Sequence, residues 1–253
     1  MQDTYIGDEG KGFPLVLVHG FLGSSKMWKP QIDFFKDNFR VITPDLPGYG
    51  KSNKAKSHNS IQSISNLLLD CLREKKIDKF HLLGHSMGGM IVQDMAKKSG
   101  EKISKLVCYS TGPIGEIPGR FETIDQSREK LKKNGLQTTR LRIAKTWFVE
   151  KEKAKYFYLC SGVNNLSSFE TADNALVAMK NWNGLKNLKS IKNETLIVWG
   201  DKDLSYNKKQ VQSLNHSILN SSLVIFKDCA HNVHLERVEE FNNVIYEFLK
   251  KCR

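Results

Sequence analysis

The chain has 253 residues, of which 40% are hydrophobic and 26% are charged, close to the average for globular proteins. This composition excludes a disordered, collagen-like or disulfide-scaffold protein and suits one large domain or a core that carries an insertion. The net charge of +12 is compatible with nucleic-acid binding, but the lysines are spread and no basic stripe or binding motif accompanies them. We therefore expect no nucleic-acid contact and a lysine-rich solvated surface whose field attracts small anions.

The expected cellular location and the expected redox state of the cysteines follow from features that the sequence lacks. No run of about 18 apolar residues occurs, and the first residues do not show the basic-then-apolar pattern of a secretory leader. We expect a cytoplasmic protein without a membrane contact. The cysteines are odd in number, widely spaced and without a CxxC pair, so we expect reduced thiols and neither a disulfide framework nor a zinc site. They are Cys71, Cys108, Cys160, Cys229 and Cys252.

Short apolar or β-branched runs bounded by Gly, Pro or Asp recur along the chain and predict buried strands. They are Leu15–Val18, Val41–Thr43, Phe80–Leu83, Leu106–Tyr109, Leu196–Trp199 and Leu223–Phe226. Amphipathic stretches of helical length lie among them, namely Ile61–Leu72, Met87–Lys98 and Val238–Lys250. This alternation predicts an α/β protein with a mostly parallel, doubly wound sheet. The loops at the carboxyl ends of its strands gather at one edge, where we expect the chemistry.

The alternation stops after Tyr109, where TGPIGEIPG forms a Gly/Pro-rich hinge. The following residues are helix-prone and without clear β runs until strand character returns at TLIVWG. We therefore predict a helical cap at residues 113–187, inserted between a first core part at 1–112 and a second at 188–253. Its aromatic residues would form the cap core or line a pocket. They are Trp147, Phe148, Tyr156, Phe157, Tyr158 and Trp182.

The segment GHSMGG contains a G-x-S-x-G pattern centred on Ser86 and is the strongest chemical signal. It directly follows one predicted strand and directly precedes a predicted helix, which is the context that a nucleophile elbow requires. A sharp strand-to-helix turn needs small residues two before and two after the serine, here Gly84 and Gly88, because the backbone segments touch. We therefore predict that Ser86 is a nucleophile near free N–H groups that favour developing negative charge.

A serine hydroxyl needs a base, and that base needs an acid that orients it. In a site of this type the chain order is serine, acid, histidine. The strand Leu196–Trp199 runs into GDKD, which places two carboxylates at its carboxyl end. We favour Asp203 as the acid because it lies far enough into the loop to reach a histidine, whereas Asp201 more readily shapes the turn.

The loop after Leu223–Phe226 supplies two candidate bases, His231 and His234. We favour His231 because it follows the strand closely. His234 lies nearer the following helix, where packing or capping is the alternative interpretation.

Two backbone N–H donors are expected to bind the oxyanion, one of them from the residue after the nucleophile, Met87. The second is expected from the loop HGFLGSS after an earlier strand, where Phe21 is the natural donor. In this interpretation His19 is an internal hydrogen-bonding residue that holds the loop.

The segment DLPGYGKS ends like a phosphate-binding loop, but such a loop needs glycine where Asp45 stands. No apolar helix follows it at once either. We therefore predict a turn after the strand Val41–Thr43 and no nucleotide cofactor.

The motifs HGFLGSS, DLPGYGKS, GHSMGG, WGDKD and CAHNVHLE stand in this order, and together they resemble the signature of the α/β-hydrolase superfamily. The resemblance covers nearly the whole chain except residues 113–187. It implies an α/β-hydrolase fold in which the insertion is the lid. It also implies a triad formed by Ser86, Asp203 and His231, and an oxyanion hole formed by Phe21 and Met87. The chain is also similar to 3-oxoadipate enol-lactonases and related small esterases in two segments, FLGSSKMW and SMGGMIVQDMA.

Serine in the elbow separates this chain from relatives that use aspartate, the haloalkane dehalogenases and epoxide hydrolases. The resemblance therefore implies an acyl-enzyme mechanism on a small carboxylic ester or lactone, without metal or cofactor. Relatives with the same triad and cap are carbon–carbon bond hydrolases or lyase-like synthases, which is a second hypothesis. A third is a ligand-sensing hydrolase that acts through a protein partner, whose identity the sequence does not give.

Overall fold

The computed structural model describes residues 4–116, 118–161 and 167–250. In these residues the centre is a seven-stranded sheet with the order β1-β3-β2-β4-β5-β6-β7. The strands are β1 Ile6–Glu9, β2 Phe13–Val18, β3 Phe39–Pro44, β4 Phe80–His85, β5 Ile103–Tyr109, β6 Glu194–Gly200 and β7 Ser221–Phe226. Neighbouring strands are parallel except β1 and β3, which are antiparallel. The predicted α/β sheet is thus confirmed.

The α-helices of the described chain follow the strands in sequence. They are α1 Lys29–Phe35, α2 Ile61–Glu74, α3 Met87–Ser99, α4 Ile124–Lys145, α5 Tyr158–Ser161, α6 Phe169–Lys180, α7 Lys208–Ser217, α8 Val233–Glu236 and α9 Val238–Lys250. None of them is both long enough and apolar enough to cross a membrane. Four cysteines carry free thiols, Cys71, Cys108, Cys160 and Cys229, whereas Cys252 lies outside the described residues.

Both faces of the sheet are covered because alternate residues of each buried strand point to opposite sides. In β2, Val16 belongs to the core beneath α2 and α3, whereas Leu15 and Leu17 belong to the core beneath α1 and α9. The sheet is therefore doubly wound, as predicted. All predicted strands and helices are present, and the structure adds β1, α1, α7 and the short α5 and α8. The sequence IGDE of β1 is too polar to indicate a strand, and this strand lies at the edge of the sheet, where it pairs with β3.

The chain between β5 and β6 is helical in its described part, as its composition predicted. Its two ends lie side by side, since Gly115 N–H donates to Trp182 O at 3.0 Å and Gly184 N–H to Pro113 O at 2.7 Å. Helix α4 is kinked at Gly135, whose φ of 76° is left-handed. This helix packs against α6. The two ends of the segment between β5 and β6 thus lie next to each other.

His81 of β4 is a buried imidazole between the rings of Phe13 and Phe39, at centroid distances of 4.7 and 6.0 Å. Burial, and secondarily the charge of Lys105, lowers the pKa of His81 to about 4 from 6.5. The unfolded chain binds a proton at this histidine below about pH 6.5, but the folded protein does so only below about 4. The free energy of unfolding therefore decreases as the pH falls through this window.

We predict that His81→Phe reduces the loss of stability on acidification, because phenylalanine fits among the neighbouring rings and does not titrate. Urea unfolding of both proteins at pH 7, 6, 5 and 4.5 measures the effect. The difference between variant and wild type should grow in favour of the variant as the pH is lowered. A constant difference across the series would show that His81 does not contribute to the acid sensitivity.

Candidate active site

Ser86 lies at a sharp reversal between β4 and α3. Its backbone has φ 58° and ψ −119°, an unusual conformation for a residue with a Cβ. Three hydrogen bonds hold this turn: Ser86 N–H donates to Tyr109 O at 2.9 Å, and Ser86 O accepts from Gly89 N–H and Thr111 Oγ1, both at 2.8 Å. The chain therefore presents the serine side chain at the carboxyl end of the sheet.

Two glycines permit the close approach of strand and helix at this turn. A Cβ on Gly84 would overlap the carbonyl group of Gly88. A Cβ on Gly88 would overlap the carbonyl oxygens of Val18 and His19 in the neighbouring strand and loop. The small residues of the G-x-S-x-G pattern thus have the steric reason that the sequence predicted.

His231 and Asp203 form a buried hydrogen-bonded pair beside this turn. His231 Nδ1 lies 2.9 Å from Asp203 Oδ2, and the two residues are only 1% and 8% exposed. The other carboxylate oxygen, Oδ1, accepts the N–H groups of Ser205 and Tyr206 at 2.7 and 3.2 Å. Because a carboxylate only accepts, Nδ1 of the imidazole carries the proton, and Nε2 of the neutral ring is free to accept one. Ser86 and His231 line the same cavity.

The alternative acid and base occupy structural positions. Asp201 Oδ1 accepts the N–H of Asp228 at 2.7 Å and so joins the loop after β6 to the loop after β7. His234 Nδ1 lies 2.9 Å from the Tyr109 hydroxyl in the core, where burial lowers the pKa of His234 to about 3. Among the described residues that line the cavity, neither of them is present.

The loop after β2 lies against the nucleophile turn. A Cβ placed on Gly20 would lie 2.8 Å from the Cβ of Ser86. Within the described residues, no backbone acceptor is bonded to the N–H of Phe21 or of Met87. Both N–H groups are thus available to a ligand at the serine.

His19 holds this loop, as predicted. Its Nε2 accepts the N–H of Leu46 at 2.9 Å, so its Nδ1 carries the proton and donates to Gly20 O at 2.8 Å. Burial is the main cause that lowers the pKa of His19 and keeps it neutral. A further contact comes from Asp45, whose Oδ1 accepts the Ser25 N–H at 2.5 Å and whose Oδ2 accepts the Lys51 N–H at 2.7 Å. The DLPGYGKS segment is therefore a turn that supports the loop, as expected.

The cavity above Ser86 is narrow, with a volume of about 20 Å³, and lies between the sheet and the residues that follow β5. The apolar part of its wall consists of Phe21, Met90, Ile124, Ile143, Trp147 and Met179. Polar groups enter it from Ser86, His231, Arg120, Ser205 and Tyr206. An apolar pocket with a few convergent polar groups is the usual form of a small-molecule site.

Tyr206 is a cavity residue that sequence reasoning missed. Its ring is stacked on His231 with a centroid distance of 5.8 Å and an interplanar angle of 13°. Its hydroxyl interacts with the side chains of Ser86 and Thr111, and burial raises the pKa of Tyr206 to about 12. The tyrosine therefore contacts both the candidate nucleophile and the candidate base.

Of the aromatic residues in the insertion, Trp147 lines the cavity and has its ring 6.0 Å from that of His231. Phe148, Phe157 and Trp182 are buried in the main core. Tyr156 packs against that core and Tyr158 is 63% exposed. The described residues contain no group of three or more His, Cys, Asp or Glu side chains arranged to hold a metal ion.

Comparison with known proteins agrees with this architecture. The sequence profile of the α/β-hydrolase fold matches residues 14–238. The chain belongs to the α/β-hydrolase fold family.

Individual relatives are similar along nearly their whole length. The (E)-2-((N-methylformamido)methylene)succinate hydrolase of Acinetobacter baylyi is 24% identical, with 96% of this chain and 92% of the relative covered. The pimeloyl-[acyl-carrier protein] methyl ester esterase of Legionella pneumophila strain Corby is 28% identical, with 98% and 100% covered. In fold, the enol-lactonase of Burkholderia xenovorans LB400 is similar with a TM-score of 0.88 at 22% identity, covering 98% and 96% of the two chains. These matches place the chain among hydrolases.

In this α/β-hydrolase, the loop that carries His231 is hydrogen-bonded to the segment between β5 and β6. Asn232 N–H donates to Trp147 O at 3.0 Å. The carboxylate of Glu236 accepts the N–H of Val149 and that of Ala230, each at 2.7 Å. One carboxylate thus joins the residue before His231 to the residue that follows the Trp147–Phe148 pair.

We predict that Glu236→Gln destabilises the fold by about 1–3 kcal/mol, since an amide nitrogen would face one of the two N–H donors. Glu239→Gln is the matched control, because Glu239 is an exposed residue near Glu236. Urea unfolding at pH 7 measures both. Equal midpoints for the two variants would show that the two N–H contacts contribute little.

Proposed function

We propose that this protein is a serine hydrolase that cleaves a small carboxylic ester or lactone through an acyl-enzyme. In this proposal Ser86 is the nucleophile, His231 the general base and Asp203 the acid that orients the base. The supporting observation is the buried His231–Asp203 pair, whose imidazole borders the same cavity as a serine at a strand-to-helix turn. A nucleophile, a base and an orienting acid in this relation are what acyl transfer requires.

In the acylation step His231 Nε2 accepts the proton of the Ser86 hydroxyl as Oγ attacks the carbonyl carbon. Asp203 stabilises the imidazolium that forms, while its second oxygen is held by two backbone N–H groups. The imidazolium then gives the proton to the departing alkoxide, and the C–O bond breaks. In a lactone the released hydroxyl stays attached to the acyl group.

Deacylation repeats the sequence with water. His231 accepts a proton from the water as its oxygen attacks the acyl carbon, and the proton passes to Ser86 Oγ as the acid departs. In both steps the N–H groups of Phe21 and Met87 bind the negative oxygen of the tetrahedral intermediate. Donors fixed before the reaction stabilise this charge without reorganisation.

We further propose that residues 113–187 form the cap over this site, with residues 1–112 and 188–253 as the two parts of the core. Support comes from the contribution of Arg120, Ile124, Ile143, Trp147 and Met179 to the cavity wall. The relatives' names include a methyl ester esterase and a succinate-derivative hydrolase, and the similar fold of an enol-lactonase agrees with a small carbonyl substrate. The partner of the site is in this proposal a small ester or lactone.

We predict that Ser86→Ala lowers the release of p-nitrophenol from short- to long-chain acyl esters by 10³-fold or more, since the acyl-enzyme can no longer form. The acyl chain length that the wild type hydrolyses fastest measures the length of the pocket. Unchanged turnover in the variant would reject Ser86 as the nucleophile. Absence of ester turnover in the wild type would reject ester hydrolysis and favour carbon–carbon bond cleavage or ligand sensing by the same residues.

The acid is tested by a matched pair of variants. We predict that Asp203→Asn lowers kcat by about 10³- to 10⁴-fold, because the amide no longer selects the tautomer that leaves Nε2 free. Asp201→Asn should leave kcat within about threefold, since the Asp201 carboxylate is bonded to the N–H of Asp228 and to the side chain of Lys202 and does not line the cavity in the described residues. A larger loss in Asp201→Asn than in Asp203→Asn would reverse the assignment.

A further inference from the structure

Arg120 brings a positive charge into the cavity that holds Ser86 and His231. It lies on the segment after β5, which is hydrogen-bonded to the loop after β6. Phe121 N–H donates to Leu204 O at 3.0 Å, and Asn207 Nδ2 donates to Pro118 O at 2.9 Å. These two bonds flank Arg120 and place its side chain in the wall next to Tyr206.

In the described residues no carboxylate forms an ion pair with Arg120. Its hydrogen bond is a long one, from Nη1 to the backbone oxygen of Glu122 at 3.4 Å, and its guanidinium lies 5.0 Å from the Phe121 ring. A guanidinium has five donors, and burial of an arginine is usually matched by a carboxylate or phosphate partner. Here burial lowers the pKa of Arg120, the direction expected for a cation held away from water.

The nearest carboxylates are already engaged. Glu122 binds Arg142 through both oxygens, at 2.7 and 2.9 Å, and also accepts from Lys130 and Ser127 at 2.8 and 2.5 Å. Asp203 binds His231 and two backbone N–H groups. The donors of Arg120 that face the cavity are therefore available to a substrate.

We propose that Arg120 binds a carboxylate of the substrate, so that the preferred substrate is an ester or lactone that also carries a free carboxylate group. This inference rests on the proposed function of Ser86 and names the substrate class of the same site. One carboxylate matches one guanidinium in charge and in its two-pronged geometry. A dianionic phosphate would need a second cation, but Arg142 and Lys130 are both held by the carboxylate of Glu122.

The cavity also explains why one such contact gives selectivity. The guanidinium of Arg120 is partly buried and the cavity is narrow, so few water molecules can replace an anionic partner there. A neutral substrate of the same shape leaves this charge uncompensated, whereas a carboxylate forms charge-assisted hydrogen bonds. The net positive charge of +12 acts in the same direction by attracting anions to the protein.

The test compares matched esters that differ only in charge. The p-nitrophenyl hemiesters of succinate, glutarate and adipate are assayed against the p-nitrophenyl esters of their terminal amides. We expect the wild type to prefer at least one carboxylate ester over its amide in kcat/KM. Arg120→Gln should lower this preference by about 10- to 100-fold, and Arg120→Lys should lie between the two.

Lys133→Gln is the matched control because it removes one positive charge from an exposed position of the same insertion. It should keep the wild-type preference, which separates a contact in the cavity from the overall field. A wild type that hydrolyses the amides as well as the carboxylates, or an Arg120→Gln variant with the wild-type preference, would overturn the inference.

Ligand binding measured without turnover tests the carboxylate site independently of the proposed catalytic mechanism. Glutarate should raise the melting temperature of the wild type and of Ser86→Ala but not of Arg120→Gln. If Ser86→Ala hydrolyses esters like the wild type while this pattern holds, the proposed nucleophile is wrong and the carboxylate site stands. If Ser86→Ala is inactive and glutarate stabilises all three proteins equally, the nucleophile stands and the carboxylate site is wrong.

Discussion

The reversal of the chain at Ser86 is the constraint on which the candidate site depends. A left-handed serine is unfavourable by itself, and it is held by hydrogen bonds that continue across the carboxyl edge of the sheet. The backbone bonds run from Ser86 N to Tyr109 O, Ser110 N to Val198 O, Asp201 N to Phe226 O and Lys202 N to Cys229 O, at 2.8–3.0 Å. They connect β4, β5, β6 and the segment after β7 in one row. The loops that carry Asp203 and His231 are therefore aligned with the serine by the same network that stabilises its turn.

Neutral aromatic and imidazole groups lie beneath this row. The ring of His85 lies 4.5 Å from His231 and 4.7 Å from Tyr109, and burial lowers the pKa of His85 well below its ordinary value. Repulsion from His231 and His234 adds to this effect. The rings of His85 and His234 are therefore held uncharged, and Asp203 is the carboxylate bonded to His231.

The parts of this molecule that the sequence predicts are those governed by local sterics and by strand order. Gly84 and Gly88 are required by contacts within and beside one turn, and strands that end at one sheet edge bring Ser86, Asp203 and His231 together. The catalytic roles of the triad and of the oxyanion donors remain predictions, although the positions of these residues follow from the sequence. Arg120 and Tyr206 have no such local signal. Arg120 follows a Gly/Pro-rich hinge, and both side chains reach the cavity because two loops more than 80 residues apart in the chain are joined by hydrogen bonds.

The residues proposed for catalysis and those proposed for substrate selectivity thus lie in different parts of the chain. The groups proposed for acyl transfer lie on loops that the sheet aligns, whereas Arg120 and Trp147 belong to the segment between β5 and β6. If the proposed function is correct, a change in that segment alters which acyl group fits without moving the row of bonds at the sheet edge. Tyr206 lies at the boundary, since it follows Asp203 closely, stacks on His231 and neighbours Arg120 in the wall. Movement of the loop that it shares with Asp203 would therefore affect the carboxylate contact and the orientation of the base together. In the proposed function, recognition of substrate charge and proton transfer are therefore coupled through one short loop.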